Sequence, residues 1–106
     1  MTRTDIILYL LRKGLPSCYR GFLNLVDVLL YSTENPDKMH SIMDLYQAVS
    51  QRTGVSAASI EHNIRYLLET WHVASGLEHQ PRPSNKVVIR HMTLELLELK
   101  YPRHSA

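Results

Sequence analysis

The chain has 106 residues, a hydrophobic fraction of 44% and a formal net charge of +2 at pH 7. This length predicts one domain over 1–106 with one core, over about 4–100, and the composition is typical of a globular chain and not of a disordered one. No apolar run reaches the roughly 18 residues of a membrane-spanning helix, and no signal peptide is evident. We therefore expect a cytoplasmic protein without a membrane partner. The charge permits nucleic-acid binding but is far below that of strongly cationic binders.

Several kinds of chemistry are missing from the sequence. Cys18 is the only cysteine, which rules out an internal disulfide, agrees with a reducing compartment and is interpreted as a packed side chain. The six histidines do not pair at the spacing of a zinc site. A Gly-rich phosphate loop and a G-x-S-x-G motif are also absent. We therefore predict no metal, no cofactor and no enzymatic activity.

Hydrophobic periodicity predicts helices throughout, so the expected fold class is all-α: a compact bundle of five to six helices containing a helix-turn-helix. The predicted helices span 3–13, 17–31, 41–52, 57–71 and 85–99. In the first, Thr4 is the expected cap, and the expected inward side chains are Ile6, Ile7, Leu10 and Leu11.

The second predicted helix has a broad apolar stripe and is therefore expected at the centre of the bundle. Its stripe consists of Phe22, Leu25, Val26, Leu29 and Leu30, widened by Leu23 and Val28. Gly21 within this helix predicts close packing against a neighbour. The residues STENPD at 32–37 predict a turn. The last helix is expected to begin at a Ser84 or Asn85 cap and to bury Ile89, Met92, Leu96 and Leu99. A frayed tail is expected at 103–106.

The stretch 53–71 has the clearest helix start in the chain. Ser56 is the expected N-cap, and Val55 and Ile60 have the spacing of a hydrophobic staple. The apolar stripe then comprises Ile60, Ile64, Leu67, Leu68 and Trp71. Together with the helix at 41–52 and the break at Gly54, this pattern indicates a helix-turn-helix. An ordinary αα-hairpin fits the same pattern.

In a helix-turn-helix, the second helix reads base edges and flanking groups hold phosphates. The candidate base-reading residues on the 57–71 helix are Ser59, Glu61, His62 and Arg65. The candidate phosphate-binding residues are Arg52, Ser56, Arg82 and Lys86. The alternative for this face is a solvated surface on which Arg65 pairs with Glu61 or Glu69, worth only about 0.2–0.5 kcal/mol.

Three blocks of sequence resemble the C-terminal effector domain of the stage zero sporulation protein A family, response regulators of endospore-forming Firmicutes. The blocks are GLP at 14–16 with RGFLNL at 20–25, LY at 45–46 with SAASIEHNIR at 56–65, and RPSN at 82–85 with Ile89. In this order they cover nearly the whole chain, about 5–99. The glycine–proline block and the RPSN block are the most specific parts.

The resemblance implies a six-helix DNA-binding domain whose helix-turn-helix reads a promoter box in duplex DNA, with tandem copies on neighbouring boxes or a homodimer. Glu61 and Arg65 match the family pattern, whereas the family has arginines at the positions of Ser59 and His62 and a histidine at that of Tyr66. The family also has a phosphoacceptor receiver domain before this domain. Since Met1 lies almost at the first predicted helix, we expect no receiver domain in this chain, which is then either a stand-alone effector or a piece of a longer regulator.

Two functions follow as expectations. The first is a sequence-specific DNA-binding transcriptional regulator that reads the major groove with the 57–71 helix. The alternative is a non-enzymatic protein-interaction module that binds or antagonises another regulator, using His62, Tyr66 and apolar residues of the first and last helices.

Overall fold

A computed structural model describes residues 1–102, which form five α-helices and one 3-10 turn without any β-strand. The helices are α1 (Arg3–Arg12), α2 (Arg20–Glu34), α3 (Ile42–Thr53), α4 (Ala57–Ala74) and α5 (Asn85–Lys100), and the 3-10 turn spans Pro36–Lys38. The predicted all-α bundle is therefore confirmed. The expected frayed tail at 103–106 lies outside the described residues.

Helix α2 is the centre of the bundle, as its broad stripe predicts. It packs against each of the other four helices. The fully buried side chains on it include Leu25, Val26, Val28 and Leu29. The stripe is narrower than predicted, since Leu23 is 47% exposed.

Gly21 lets α2 and α4 approach closely, and this confirms the packing role predicted for it. A Cβ atom built at Gly21 would lie 2.1 Å from the carbonyl oxygen of Asn63 and 3.0 Å from the Cβ of Leu67. Glycine is therefore the residue that fits at position 21, where α2 crosses α4. Beside this contact, Asn63 Nδ2 donates to Asn24 Oδ1 at 2.9 Å.

The first helix is capped differently from the prediction. Thr2, not Thr4, is the N-cap: its hydroxyl accepts from the Asp5 amide, and the Asp5 carboxylate accepts from the Thr2 amide. The hydrogen bond from the Thr2 amide, and after it the Thr2 hydroxyl, lowers the pKa of the Asp5 carboxyl. The predicted inward side chain Leu11 is 45% exposed, and Tyr9 is buried in its place.

Tyr9 has a polar partner that explains why a phenol fits on the buried face of α1. Its hydroxyl donates to Glu95 Oε1 at 2.6 Å, and Lys13 Nζ lies 2.6 Å from the same oxygen. These donors, the lysine first, lower the pKa of Glu95, while burial raises the pKa of Tyr9. A charge-assisted cluster thus joins α1 to α5.

The ends of the other helices also differ from the predicted bounds. Helix α2 begins at Arg20, three residues later than predicted, and it continues through Ser32 and Thr33 to Glu34. Ser32 remains helical because its buried hydroxyl pairs with that of Thr93 in α5 at 2.9 Å. At the end of α5, Leu99 is 66% exposed rather than buried.

Cys18 precedes α2 and is exposed, so its predicted packing role is wrong. Within residues 1–102, no helix has both the length and the apolar character needed to cross a membrane.

Candidate nucleic-acid interface

Helices α3 and α4 are joined by only three residues, Gly54, Val55 and Ser56. Gly54 has φ of 79°, a left-handed conformation that ends α3, and its amide donates to the Ser50 carbonyl at 2.9 Å. Glycine is the residue that adopts this conformation without a steric cost. A helix, a tight turn and a capped second helix are therefore present, an arrangement compatible with both a helix-turn-helix and an αα-hairpin.

The predicted start of α4 is confirmed at Ser56. The Ser56 hydroxyl accepts from the Ser59 amide at 3.1 Å and donates to the Ser59 hydroxyl at 2.9 Å. Val55 packs against the core and Ile60 is fully buried, as the staple requires. The helix continues beyond its predicted end at Trp71 to Ala74. Both candidate serines thus already hydrogen-bond to each other at the first turn.

The outward face of α4 carries the other predicted base-reading residues. His62 and Arg65 are exposed, whereas Glu61 is half-buried on the flank that faces α5. Arg65 Nη2 donates to Glu61 Oε1, so the ion pair that was the alternative to base reading is present. Arg65 would have to exchange this partner for a base or a phosphate.

A shallow groove brings four of the predicted residues together. The groove is lined by Glu61 and Arg65 of α4, by Arg82 of the segment before α5, and by Lys86 of α5. The start of α3 lines it as well. Lys86 is exposed and Arg82 half-buried. Three cationic side chains thus surround one carboxylate, and the groove is basic overall.

Asn85 organises this groove, although the sequence marked it only as an alternative cap. Its Nδ2 lies within 3.3 Å of the Glu61 carbonyl oxygen and 3.4 Å of Tyr46 Oη. Its Oδ1 accepts from Arg82 Nη2 at 3.3 Å, and Arg82 Nη1 donates to the Pro83 carbonyl at 2.9 Å. Burial is the main reason why the pKa of the Tyr46 phenol is raised. The helix cap itself is Ser84, whose hydroxyl accepts from the Val87 amide.

The remaining predicted residues lie outside the groove. Arg52 pairs with Glu34 at 3.6 Å and lies 5.2 Å from the centre of the Tyr31 ring. Ser56, Ser59 and His62 are not among the residues lining the groove. The structure therefore brings Arg82 and Lys86 into one groove with Arg65, whereas Arg52 lies at the α2–α3 contact.

His62 faces a second shallow groove on the opposite flank of α4. This groove is lined by Tyr19, Arg20, Gly21 and Tyr66. The rings of the two tyrosines meet edge to face, with their centroids 5.5 Å apart. The sequence analysis did not single out Arg20. The only signal for it was its neighbour Gly21, which predicted that the start of α2 approaches another helix.

Among residues 1–102, no three His, Cys, Asp or Glu side chains are grouped so that they would hold a metal ion. His104 lies outside the described residues. No family model matches the sequence, and a search of curated proteins likewise finds no match. A functional assignment therefore rests on the groove and on the exposed face of α4.

Proposed function

We propose that the chain is a sequence-specific DNA-binding transcriptional regulator that inserts α4 into the major groove. Arg65, Glu61, His62 and Ser59 would face base edges, while Arg82 and Lys86 would contact the phosphates beside them. We further propose a cytoplasmic location and binding to duplex DNA as a homodimer or as tandem copies. The resemblance to the sporulation effector domains supports the same assignment.

One observation carries the proposal. Arg65 on the outward face of α4 shares a groove with Arg82 and Lys86, which come from a different part of the chain. Phosphates flank the major groove on both sides, so cations beside a helix that enters the groove are positioned to contact phosphates. The short, capped link between α3 and α4 supports the same docking mode.

The ion pair between Arg65 and Glu61 would have to open before Arg65 could contact a base. An exposed ion pair on a helix contributes only about 0.3–0.5 kcal/mol. A bidentate contact of arginine with guanine contributes about 1–3 kcal/mol of base discrimination. Arg65 is 51% exposed at its side chain, so we expect it to leave the Glu61 carboxylate for a base at little cost.

The decisive experiment is a binding selection on random duplex DNA, followed by titrations of the selected site at several salt concentrations. If Arg82 and Lys86 each neutralise one phosphate, the logarithm of the association constant should fall against the logarithm of the salt concentration with a slope of about −1.8 per bound chain. Absence of any selected sequence and of binding at low salt would overturn the proposal.

Arg65→Ala tests the reading role directly. It should weaken binding to the selected site by about 1–3 kcal/mol and relax the preference at one base pair. Arg12→Ala is the matched control, because Arg12 is an exposed arginine of α1 that does not line the groove. Equal effects of the two substitutions would remove Arg65 from the reading set.

A second function is favoured by exposed apolar side chains. Leu8 and Leu11 on α1 and Leu94 and Leu99 on α5 are all at least 44% exposed, which suits a protein-interaction module acting on another regulator. Tyr66, 54% exposed beside His62, would add an aromatic contact. The salt titration separates the two functions, because a module of this kind needs no DNA affinity at low salt.

A further inference from the structure

A cavity lies behind the DNA-facing side of α4, between the end of that helix, the 75–84 segment and the start of α5. Its volume is about 170 Å³. Carbon atoms dominate its walls, and the main apolar contributors are Leu68, Trp71, Leu77, Pro83 and Val88. An engineered protein cavity of about 150 Å³ with aliphatic and aromatic walls binds benzene or xenon. The cavity is therefore large enough for a small ring.

The polar side chains around the cavity are already engaged within the protein. Trp71 Nε1 donates to the Lys13 carbonyl at 3.2 Å, and Ser75 Oγ donates to the Trp71 carbonyl at 2.8 Å. His72 Nε2 lies 2.9 Å from the carbonyl oxygen of Gln80. A ligand with its own charge or strong hydrogen-bonding groups would have to break these bonds to be satisfied.

We propose that this cavity binds a small, uncharged, predominantly apolar molecule of about the size of benzene or toluene. The volume sets the size, and the apolar walls with engaged polar groups set the chemistry. The segment 75–84 forms the outer wall through Leu77 and Pro83. Leu77 is 38% exposed, which places it at the mouth of the cavity.

Arg82 connects the cavity with the basic groove, because it lines both. Its guanidinium is held by the Pro83 carbonyl and by Asn85, which in turn donates to Glu61 of α4. A ligand that pushes Arg82 away from the cavity wall would also move a cation of the groove. This coupling rests on the proposed DNA-binding function, whereas ligand binding itself does not. By linkage, DNA would change the ligand affinity by the same factor.

Trp71 provides the measurement for ligand binding, since it is the only tryptophan of the chain and forms part of the cavity wall. Toluene is titrated into the protein without DNA while tryptophan emission is recorded, and stoichiometry is checked by calorimetry. We expect a saturable change with one toluene per chain. A linear response without saturation, or tighter binding of benzoate than of toluene, would overturn the proposal.

Val88→Phe and Val73→Phe form a matched pair of variants. Val88 lines the cavity, whereas Val73 is exposed on α4 and does not line it. Filling the cavity should weaken toluene binding at least about tenfold, and Val73→Phe should leave it within about twofold. Leu77→Glu serves if Val88→Phe does not fold, because a carboxylate at the mouth should also weaken toluene binding. Unchanged affinity in the folded cavity variants would refute the site.

The coupling is tested by repeating the titration of the selected DNA at saturating toluene. We expect the DNA dissociation constant to change at least about fivefold, in line with typical coupling between sites, and the change to disappear in the cavity variants. An unchanged DNA affinity would overturn the coupling. Failure to bind any DNA would instead count against the proposed function, since toluene binding is measured without DNA.

Discussion

Gly21→Ala should destabilise the protein through the contact between α2 and α4. The added Cβ would lie 2.1 Å from a backbone oxygen of Asn63, whereas carbon–oxygen contacts normally begin near 3.3 Å. The two helices would have to separate by about 1.2 Å, because a backbone atom, unlike a side chain, has no other rotamer. The substitution thus acts on the position of α4.

The magnitude follows from two opposing contributions. Overpacking a core contact costs about 1–3 kcal/mol, and a contact with backbone belongs at the upper end of that range. Gly21 is the second residue of α2, where replacing Gly by Ala returns less than the value of about 1 kcal/mol for a helix interior. The net loss is about 2 kcal/mol, which for a domain of this size lowers the Tm by roughly 9 °C.

Thermal unfolding followed by circular dichroism measures this difference. Thr4→Ala is the control, because Thr4 is exposed on α1 and the same product residue there should change stability by only a few tenths of a kcal/mol, about the size of the propensity difference. A Tm of Gly21→Ala at or above that of the native sequence would refute the reasoning. It would mean that the helices separate without cost.

Three further substitutions test other parts of the fold. Glu95→Gln should reduce the free energy of unfolding at neutral pH, because folding lowers the pKa of Glu95. The difference in unfolding free energy between the native sequence and the variant should shrink as the pH falls below about 4, which urea titrations measure. Thr93→Val should cost about 1–2 kcal/mol by leaving the buried Ser32 hydroxyl unpaired, and adding Ser32→Ala should recover most of it, which a double-mutant cycle measures. Ser56→Ala should cost about 1 kcal/mol in chemical denaturation by removing the cap of α4; no loss would show that the cap contributes nothing.

The sequence predicts best where one residue acts on its immediate neighbours. The cap at Ser56 and the stop at Gly54 depend on local hydrogen bonds and backbone conformation, and both are as predicted. The prediction fails at helix ends whose partners are distant in sequence. The sequence predicts a turn at Ser32, but this residue lies within α2, where its hydroxyl hydrogen-bonds to the Thr93 hydroxyl of α5. Leu11 fails for the same reason, since the hydroxyl of the buried Tyr9 bonds to Glu95 of α5. The prediction of Thr4 as cap is a local error, because Thr2 and Asp5 form a capping box between near neighbours.

Some residues of the candidate site were predictable from local sequence, and others were not. Periodicity alone placed His62 and Arg65 on the outward face of α4, because a helix fixes which residues share a face. Only the tertiary structure brought Arg82 and Lys86 to the flank of that face and placed Arg52 beside Glu34. The helical secondary structure was thus determined by local sequence. The basic groove was decided by how α5 packs on α4, since contacts between residues far apart in the chain depend on the whole core.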